Sequence, residues 1–226
     1  MPKIEPFERF PNAYEAWFDK HLTLYDAEIE AIRTLLPPFK KGIEIGVGSG
    51  RFALPFGITT GVEPSAKMAE LARFKGIEVI EGIAEALPVG DESFDFVLMV
   101  TTICFVDDPL LSLQEIHRIL KPKGYVIIGF VDRDSALGQQ YEKNREESRF
   151  YREARFYSAD EVAGLLKKAG FSGIASAQTL FGESLEEMET GVKKGSSEGA
   201  FVAIRARKGR SSRSLCSKEL SDLSEA

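Results

Sequence analysis

Residues 42–50 read Gly42-Ile43-Glu44-Ile45-Gly46-Val47-Gly48-Ser49-Gly50, a short β-rich run that breaks into alternating glycines. Glycine has no Cβ, so such a turn can take left-handed dihedrals and let a ligand pack directly against peptide planes. A helix starting after the turn adds unpaired N–H donors. A phosphate-cradling loop would need Gly, four residues and then Gly-Lys-Ser/Thr, and no such run is present. A dinucleotide fingerprint would need its last glycine where Arg51 stands, but here that glycine comes one place early, at Gly50.

Outward from this turn, short β-rich runs alternate with helical segments, the pattern of a parallel sheet wrapped by helices. Strands are predicted at residues 42–47, 59–63, 77–81, 94–100 and 125–131, with two more near 173–180 and 200–206. The runs at 94–100 and 125–131 are apolar on both faces, as strands covered from two sides must be. Pro64 can open a helix through Phe74. Asp108-Pro109 opens another, whose Leu110, Leu113, Ile116 and Leu120 keep helical spacing up to Lys121-Pro122. Ser158-Ala159-Asp160-Glu161 is a capping box ahead of Val162, Leu165, Leu166 and Ala169, with Gly170 as the stop.

Residues 12–36 read as an aromatic-rich helical stretch closed by Pro37-Pro38, and residues 132–157 as a polar excursion carrying Tyr141, Phe150, Tyr151, Phe156 and Tyr157. The expected organisation is an N-terminal helical lid at 1–38, a ligand-binding domain at 39–207 with 132–157 as a substrate-side insertion, and a disordered tail at 208–226. The fold class is α/β: a Rossmann-like, doubly wound, mostly parallel seven-stranded sheet with helices on both faces.

The 226 residues, 43% hydrophobic and 28% charged, match an ordinary globular composition, which excludes collagen-like and wholly disordered readings. Residues 96–106 form the longest nearly apolar stretch, too short to cross a bilayer, and residues 1–10 carry Lys, Glu and Arg where a signal peptide needs an apolar core. A cytoplasmic protein without a membrane partner is expected. A net charge of −6 opposes a broad grip on nucleic acid and favours a small-molecule partner. Cys104 lies in an apolar run and reads as an inert buried thiol; with Cys216 in the polar tail, neither a disulfide framework nor a metal-spaced cluster is present.

The glycine run, followed by an acidic residue that closes the second strand, resembles motif I of the class I S-adenosylmethionine-dependent methyltransferases. The resemblance continues through Gly61-Val62-Glu63-Pro64-Ser65 with Met68, then residues 81–88 (Glu-Gly-Ile-Ala-Glu-Ala-Leu-Pro), 91–95 (Asp-Glu-Ser-Phe-Asp) and 118–124 (Arg-Ile-Leu-Lys-Pro-Lys-Gly). These blocks keep the family's order across about residues 40 to 171. They look like the small-molecule subgroup, methyltransferase type 11, which contains the quinone-biosynthesis C-methyltransferases.

The resemblance implies S-adenosylmethionine as cofactor. Gly46, Gly48 and Gly50 would pass beneath its methionine and ribose portions, with Glu44 near the amino end. Glu63 would accept hydrogen bonds from both ribose hydroxyls. Pro64 and Met68 would line the adenine, and Ala84, through its N–H, with Glu85 would read the base edge. Val47, Ser49, Ser65 and Gly82 belong to the same set, and Val100 and Thr101 would lie close to the reacting methyl. Tyr14, Trp17, Phe18, His21, Thr102 and Phe105 are the expected substrate contacts. His21 and Tyr14 are the candidates for a general base should the acceptor be a hydroxyl.

The sequence departs from the family at Ile83, where many relatives have Asp, at Lys123, which stands for a glycine, and at residues 50–59, where the first crossover leaves room only for a stunted helix. His117, inside the helix that starts at Pro109, reads as a surface or packing residue. The expected reaction is in-line methyl transfer to a nitrogen, oxygen or carbon of a small molecule, without a metal. A nicotinamide-dependent oxidoreductase and a non-catalytic cofactor-binding module are the alternatives.

Overall fold

The computed structural model describes residues 3–209. Three helices lead the chain, α1 (Glu5–Arg9), α2 (Pro11–Lys20) and α3 (Leu22–Leu35). The remainder alternates: β1 (Gly42–Ile45), β2 (Thr60–Glu63), α4 (Ala66–Phe74), β3 (Glu78–Glu81), β4 (Phe94–Val100), α5 (Pro109–Ile119) and β5 (Leu120–Val131). After α6 (Ala136–Lys143) and α7 (Ala159–Lys168) come β6 (Phe171–Thr179), β7 (Lys193–Lys194) and β8 (Phe201–Lys208).

The sheet order is β3-β2-β1-β4-β5-β8-β6-β7. Strands β1 to β5 pair in parallel, whereas β8, β6 and β7 join antiparallel. The seven expected strands are all present, and the two-residue β7 adds an eighth at the edge. Strand order reverses at β1, with β2 on one side and β4 on the other. The chain therefore leaves the adjacent strands β1 and β4 in opposite directions, toward β2 and β5, and a crevice opens between their carboxyl ends.

Strand β4 shows why both faces are apolar. Val97 and Met99 enter one layer with Leu113 and Ile116 of α5 and Val162 and Leu166 of α7. Phe96, Leu98 and Val100 enter the opposite layer with Ile32 of α3 and Phe201 of β8. A register irregularity between Phe94 and Phe96 turns the strand, so that Phe94 also joins the first layer.

Several local features differ from the expectations or sharpen them. The helical stretch at 12–36 divides at His21, whose φ of −119° and ψ of 43° leave the helical region. This break lets Phe18 of α2 pack edge-on against Tyr25 of α3, with Phe52 behind both. The crossover after Gly50 holds only a single 3-10 turn at Leu54–Phe56. Helix α5 stops at Ile119, and β5 already begins at Leu120, before Pro122. Lys123 has φ +70°, a left-handed value that accounts for the usual glycine at this position. Lys208, expected to start the tail, ends β8 with its Nζ donating to the Leu120 carbonyl at 2.7 Å. The rest of that expected tail from residue 210, including Cys216, lies outside the described residues.

The capping box is present: Glu161 N–H donates to Ser158 Oγ at 3.3 Å, and Ser158 N–H donates to Glu161 Oε2 at 2.9 Å. Replacing Ser158 by Ala orphans a helix-terminal donor, so stability should fall by about 1 kcal/mol. A shifted urea midpoint with an unchanged slope is the expected readout.

Candidate active site

At the carboxyl end of β1 the chain passes through Gly46, Gly48 and Gly50 at φ +70°, +53° and +84°. Gly46 and Val47 N–H both donate to the Val62 carbonyl, which clamps the turn onto β2. A Cβ on Gly46 would collide with the Thr102 side chain, so only glycine admits the loop that follows β4. A Cβ on Gly48 would instead meet only ordinary contacts at the cavity wall, 3.5 Å from Met68 Cε and 3.8 Å from Tyr14 Oη. Peptide planes of this turn are thus bared to a ligand.

Glu63 closes β2 and faces that space. Its Oε2 accepts from Gly48 N–H at 2.8 Å and its Oε1 from Ser65 N–H at 2.9 Å. A carboxylate has roughly four lone-pair positions, so both oxygens keep capacity for a ligand's hydroxyls. Burial pushes its pKa up to about 7, against the lowering effect of the two N–H donors. Glu44 is 1% exposed, and its Oε2 is buried without a hydrogen-bond partner. Its carboxyl is raised by burial first and by the nearby Glu63 charge second.

These groups border a cavity of about 810 Å³. One part is lined by Gly46, Gly48, Glu63, Pro64 and Met68, continuing through Gly82, Ile83, Ala84 and Glu85. Val100, Thr101 and Thr102 form the end of β4 there, with Thr101 at φ +49°. The other part is aromatic. Phe7 of α1 packs edge-on against Tyr14 of α2 and against Phe105 of the β4–α5 loop. Phe105 stacks on Tyr151, and Tyr151 stacks on Tyr141 of α6. Trp17 and Phe18 also line it. Three separate stretches of chain therefore build one apolar chamber beside the glycine turn.

Not every residue expected in the site reaches the cavity. Glu44, Val47, Ser49, Gly50 and Ser65 lie behind its lining. Val47 packs across Gly61, and Gly50 makes room for Ile77. Ser49 donates to Glu15 of α2, while Ser65 caps α4 and donates to Glu8 at 2.7 Å. His21 is also outside the lining: its ring lies 4.7 Å from that of Trp17, with Nδ1 2.8 Å from the Trp17 carbonyl oxygen. Glu85 does line the cavity, yet its Oε1 already accepts from Asp107 N–H at 2.7 Å. His117 packs edge-on against Phe171, and burial pushes the Cys104 thiol up to about 12.

Other residues were not anticipated. Glu15 binds Ser49, Arg51 and Lys75 together, with Lys75 Nζ at 2.9 Å, and so ties α2 to the glycine turn. Glu28 of α3 is 5% exposed and lines the cavity. Burial alone raises its pKa to about 8. The one sequence signal is its spacing: position 28 is four residues from both Leu24 and Ile32, a charge on the apolar stripe of its helix.

A family described as a methyltransferase domain matches residues 43–128. A solved structure from Thermotoga maritima, named as a SAM-dependent methyltransferase, possible histamine N-methyltransferase, is 56% identical. It superposes with a TM-score of 0.86 over 91% of this chain and 99% of that one. The chain belongs to the S-adenosylmethionine-dependent methyltransferases. This methyltransferase is also 45% identical over 202 residues to an uncharacterized protein of Methanocaldococcus jannaschii, spanning 89% of this chain and 98% of the relative. A demethylmenaquinone methyltransferase of Staphylococcus epidermidis is 28% identical over 165 residues, 62% of this chain and 68% of the relative.

S-adenosylmethionine is the cofactor, and the cavity fits it. Gly48, which lines the cavity, and the spare acceptor positions of Glu63 suit an adenosyl ligand. Among the described residues, no cluster of His, Cys, Asp and Glu could hold a metal ion, and no helix is long and apolar enough to cross a membrane.

Two outcomes follow for this methyltransferase. Glu63→Ala should weaken S-adenosylhomocysteine binding by about 10- to 100-fold in calorimetry, the scale of lost charge-assisted hydrogen bonds. Gly48→Arg should abolish it, both variants keeping the parent's circular dichroism spectrum. Secondly, Glu28 and Glu63 hold protons more tightly folded than unfolded. Their contribution is therefore complete below the ordinary carboxylate range and is lost as pH rises toward about 8. The melting temperature of the ligand-free protein should fall across that window, and Glu28→Gln should flatten the fall.

Proposed function

We propose that this enzyme methylates a nitrogen of a small molecule held in the aromatic part of the cavity. The observation that carries this is the chamber itself: Tyr14, Phe105, Tyr141 and Tyr151 enclose a volume continuous with the glycine turn. Such a space suits a compact, partly apolar acceptor better than a polymer, in keeping with the acidic net charge of −6.

Bound S-adenosylmethionine supplies a methyl group already activated by its sulfonium. The protein's residues must then orient the acceptor and exclude water. In this reading Gly46, Gly48, Glu63, Pro64 and Met68 hold the cofactor side, while Gly82, Ala84 and Glu85 face its base. Val100 and Thr101 border the transfer path, and Trp17, Phe18 and Thr102 help confine the acceptor. Alignment of this kind can contribute about 7 to 11 kcal/mol to lowering the barrier.

Nitrogen is favoured over oxygen by the state of the candidate bases. Burial first, and the charges of Glu44 and Glu63 second, raise the pKa of Tyr14, so it stays a phenol at neutral pH. His21 lies outside the cavity lining. A hydroxyl acceptor needs its proton removed, whereas an uncharged amine attacks with its own lone pair. The N-methyltransferase name given to the Thermotoga maritima protein supports the same choice.

A screen with methyl-labelled cofactor tests this reading. Label is expected on small nitrogen compounds, with none above background on matched alcohols, RNA or DNA. Label on the alcohols in preference to the amines would overturn the nitrogen assignment.

A further inference from the structure

Glu28 has no role in the cofactor side of the cavity, and its environment is anomalous. Its side chain is on the buried face of α3, flanked by Leu24 and Ile32, and lines the cavity with Leu137 and Tyr141 of α6. No hydrogen bond or ion pair reaches its carboxyl group among the described residues. Every other strongly buried carboxylate on the cavity wall is engaged: Glu63, the one comparable case, receives two backbone N–H groups. A carboxyl group this little exposed that faces a cavity without a protein partner is costly to ionise, and a cationic ligand in the cavity would complete it.

Its surroundings define the ligand. The ionisable groups that feel its charge are Tyr14 of α2, Tyr25 of α3 itself, Tyr141 of α6 and Tyr151. All four are tyrosines, and none is a cation. The arginine of the neighbouring strand β8, Arg205, forms no ion pair with Glu28: it donates to the Leu35 carbonyl at 3.2 Å and lies over the Tyr125 ring, with its Nε unpaired. Ring faces attract a positive charge in addition to the carboxylate, and a water-poor chamber strengthens both attractions.

We infer that Glu28 selects the methyl acceptor: its carboxylate, which lines the same cavity as Tyr14, Tyr141 and Tyr151, pairs with an ammonium or other protonated nitrogen of a small arylalkylamine, a nitrogen distinct from the uncharged one that takes the methyl group. This rests on the cavity being the acceptor site. It assigns the acceptor a charge, and it gives the specificity to a residue outside all the motifs that bind the cofactor. Glu28 is ionised in that complex by its cationic partner, in contrast to the ligand-free state, where burial keeps its proton on.

The test uses calorimetry on the full-length protein saturated with S-adenosylhomocysteine, with two probe pairs of matched shape: tryptamine against tryptophol, and phenethylamine against phenethyl alcohol. The parent is expected to bind each amine at least tenfold more tightly than its alcohol. Glu28→Gln should lose at least tenfold on both amines while leaving both alcohols within about twofold of the parent. Glu28→Met, of similar volume and without a polar head, should show the same selective loss and stands in if the amide variant does not fold. The parent's own amine preference decides the matter without any variant: equal affinity for amine and alcohol overturns the inference. So does amine affinity that survives either substitution. If S-adenosylhomocysteine binds but no amine does, the inference about Glu28 fails alone. If S-adenosylhomocysteine itself does not bind, the cavity reading beneath it fails.

Discussion

The hydrogen bond from Gly48 N–H to the Glu63 carboxylate, 2.8 Å long, joins the ends of two neighbouring strands above the sheet. It can form only because Gly46 and Gly48 take left-handed dihedrals, which bring the peptide of residue 48 back over β2. The same peptide turn makes room for Thr102 at Gly46 and borders the cavity at Gly48. Everything that makes the cavity useful, from the aromatic wall to the position of β4's last residues, is arranged around this fixed point.

The N-terminal helices are held to that point by charge. Glu15 gathers Ser49, Arg51 and Lys75, and burial, which would raise its pKa, is outweighed by these partners. Glu8 accepts from Ser65 Oγ and Lys67 N–H at the start of α4. Phe7 and Tyr14 are thereby carried over the glycine turn, where they meet Phe105 and Phe150. The aromatic wall of the cavity thus depends for its position on the same glycine turn that borders the other part.

Much of this was legible in residue order. The alternation of β-rich and helical runs, the capping box at Ser158, the short crossover after Gly50 and the acidic end of β2 each rest on local preferences within a few residues. So does the placement of Gly46, Gly48, Glu63 and Met68 on the cavity. Ser49 and Ser65 were less legible: their hydroxyls are taken by Glu15 and Glu8, residues 34 and 57 positions away. His21 was misplaced for a related reason, since the helix break at that residue turns its ring onto Trp17 rather than toward the cavity.

By itself, then, the chain's sequence determined the sheet, the glycine turn and the family's cofactor, because these depend on backbone dihedrals and short-range periodicity. Only the tertiary structure decided which side chains share the cavity. Glu28 stands in α3 as one acidic residue among several, and its isolation appears once α3, α6 and the segment around Tyr151 close around it. Burial and the absence of a partner are properties of surroundings assembled from distant parts of the chain, and no local pattern carries them.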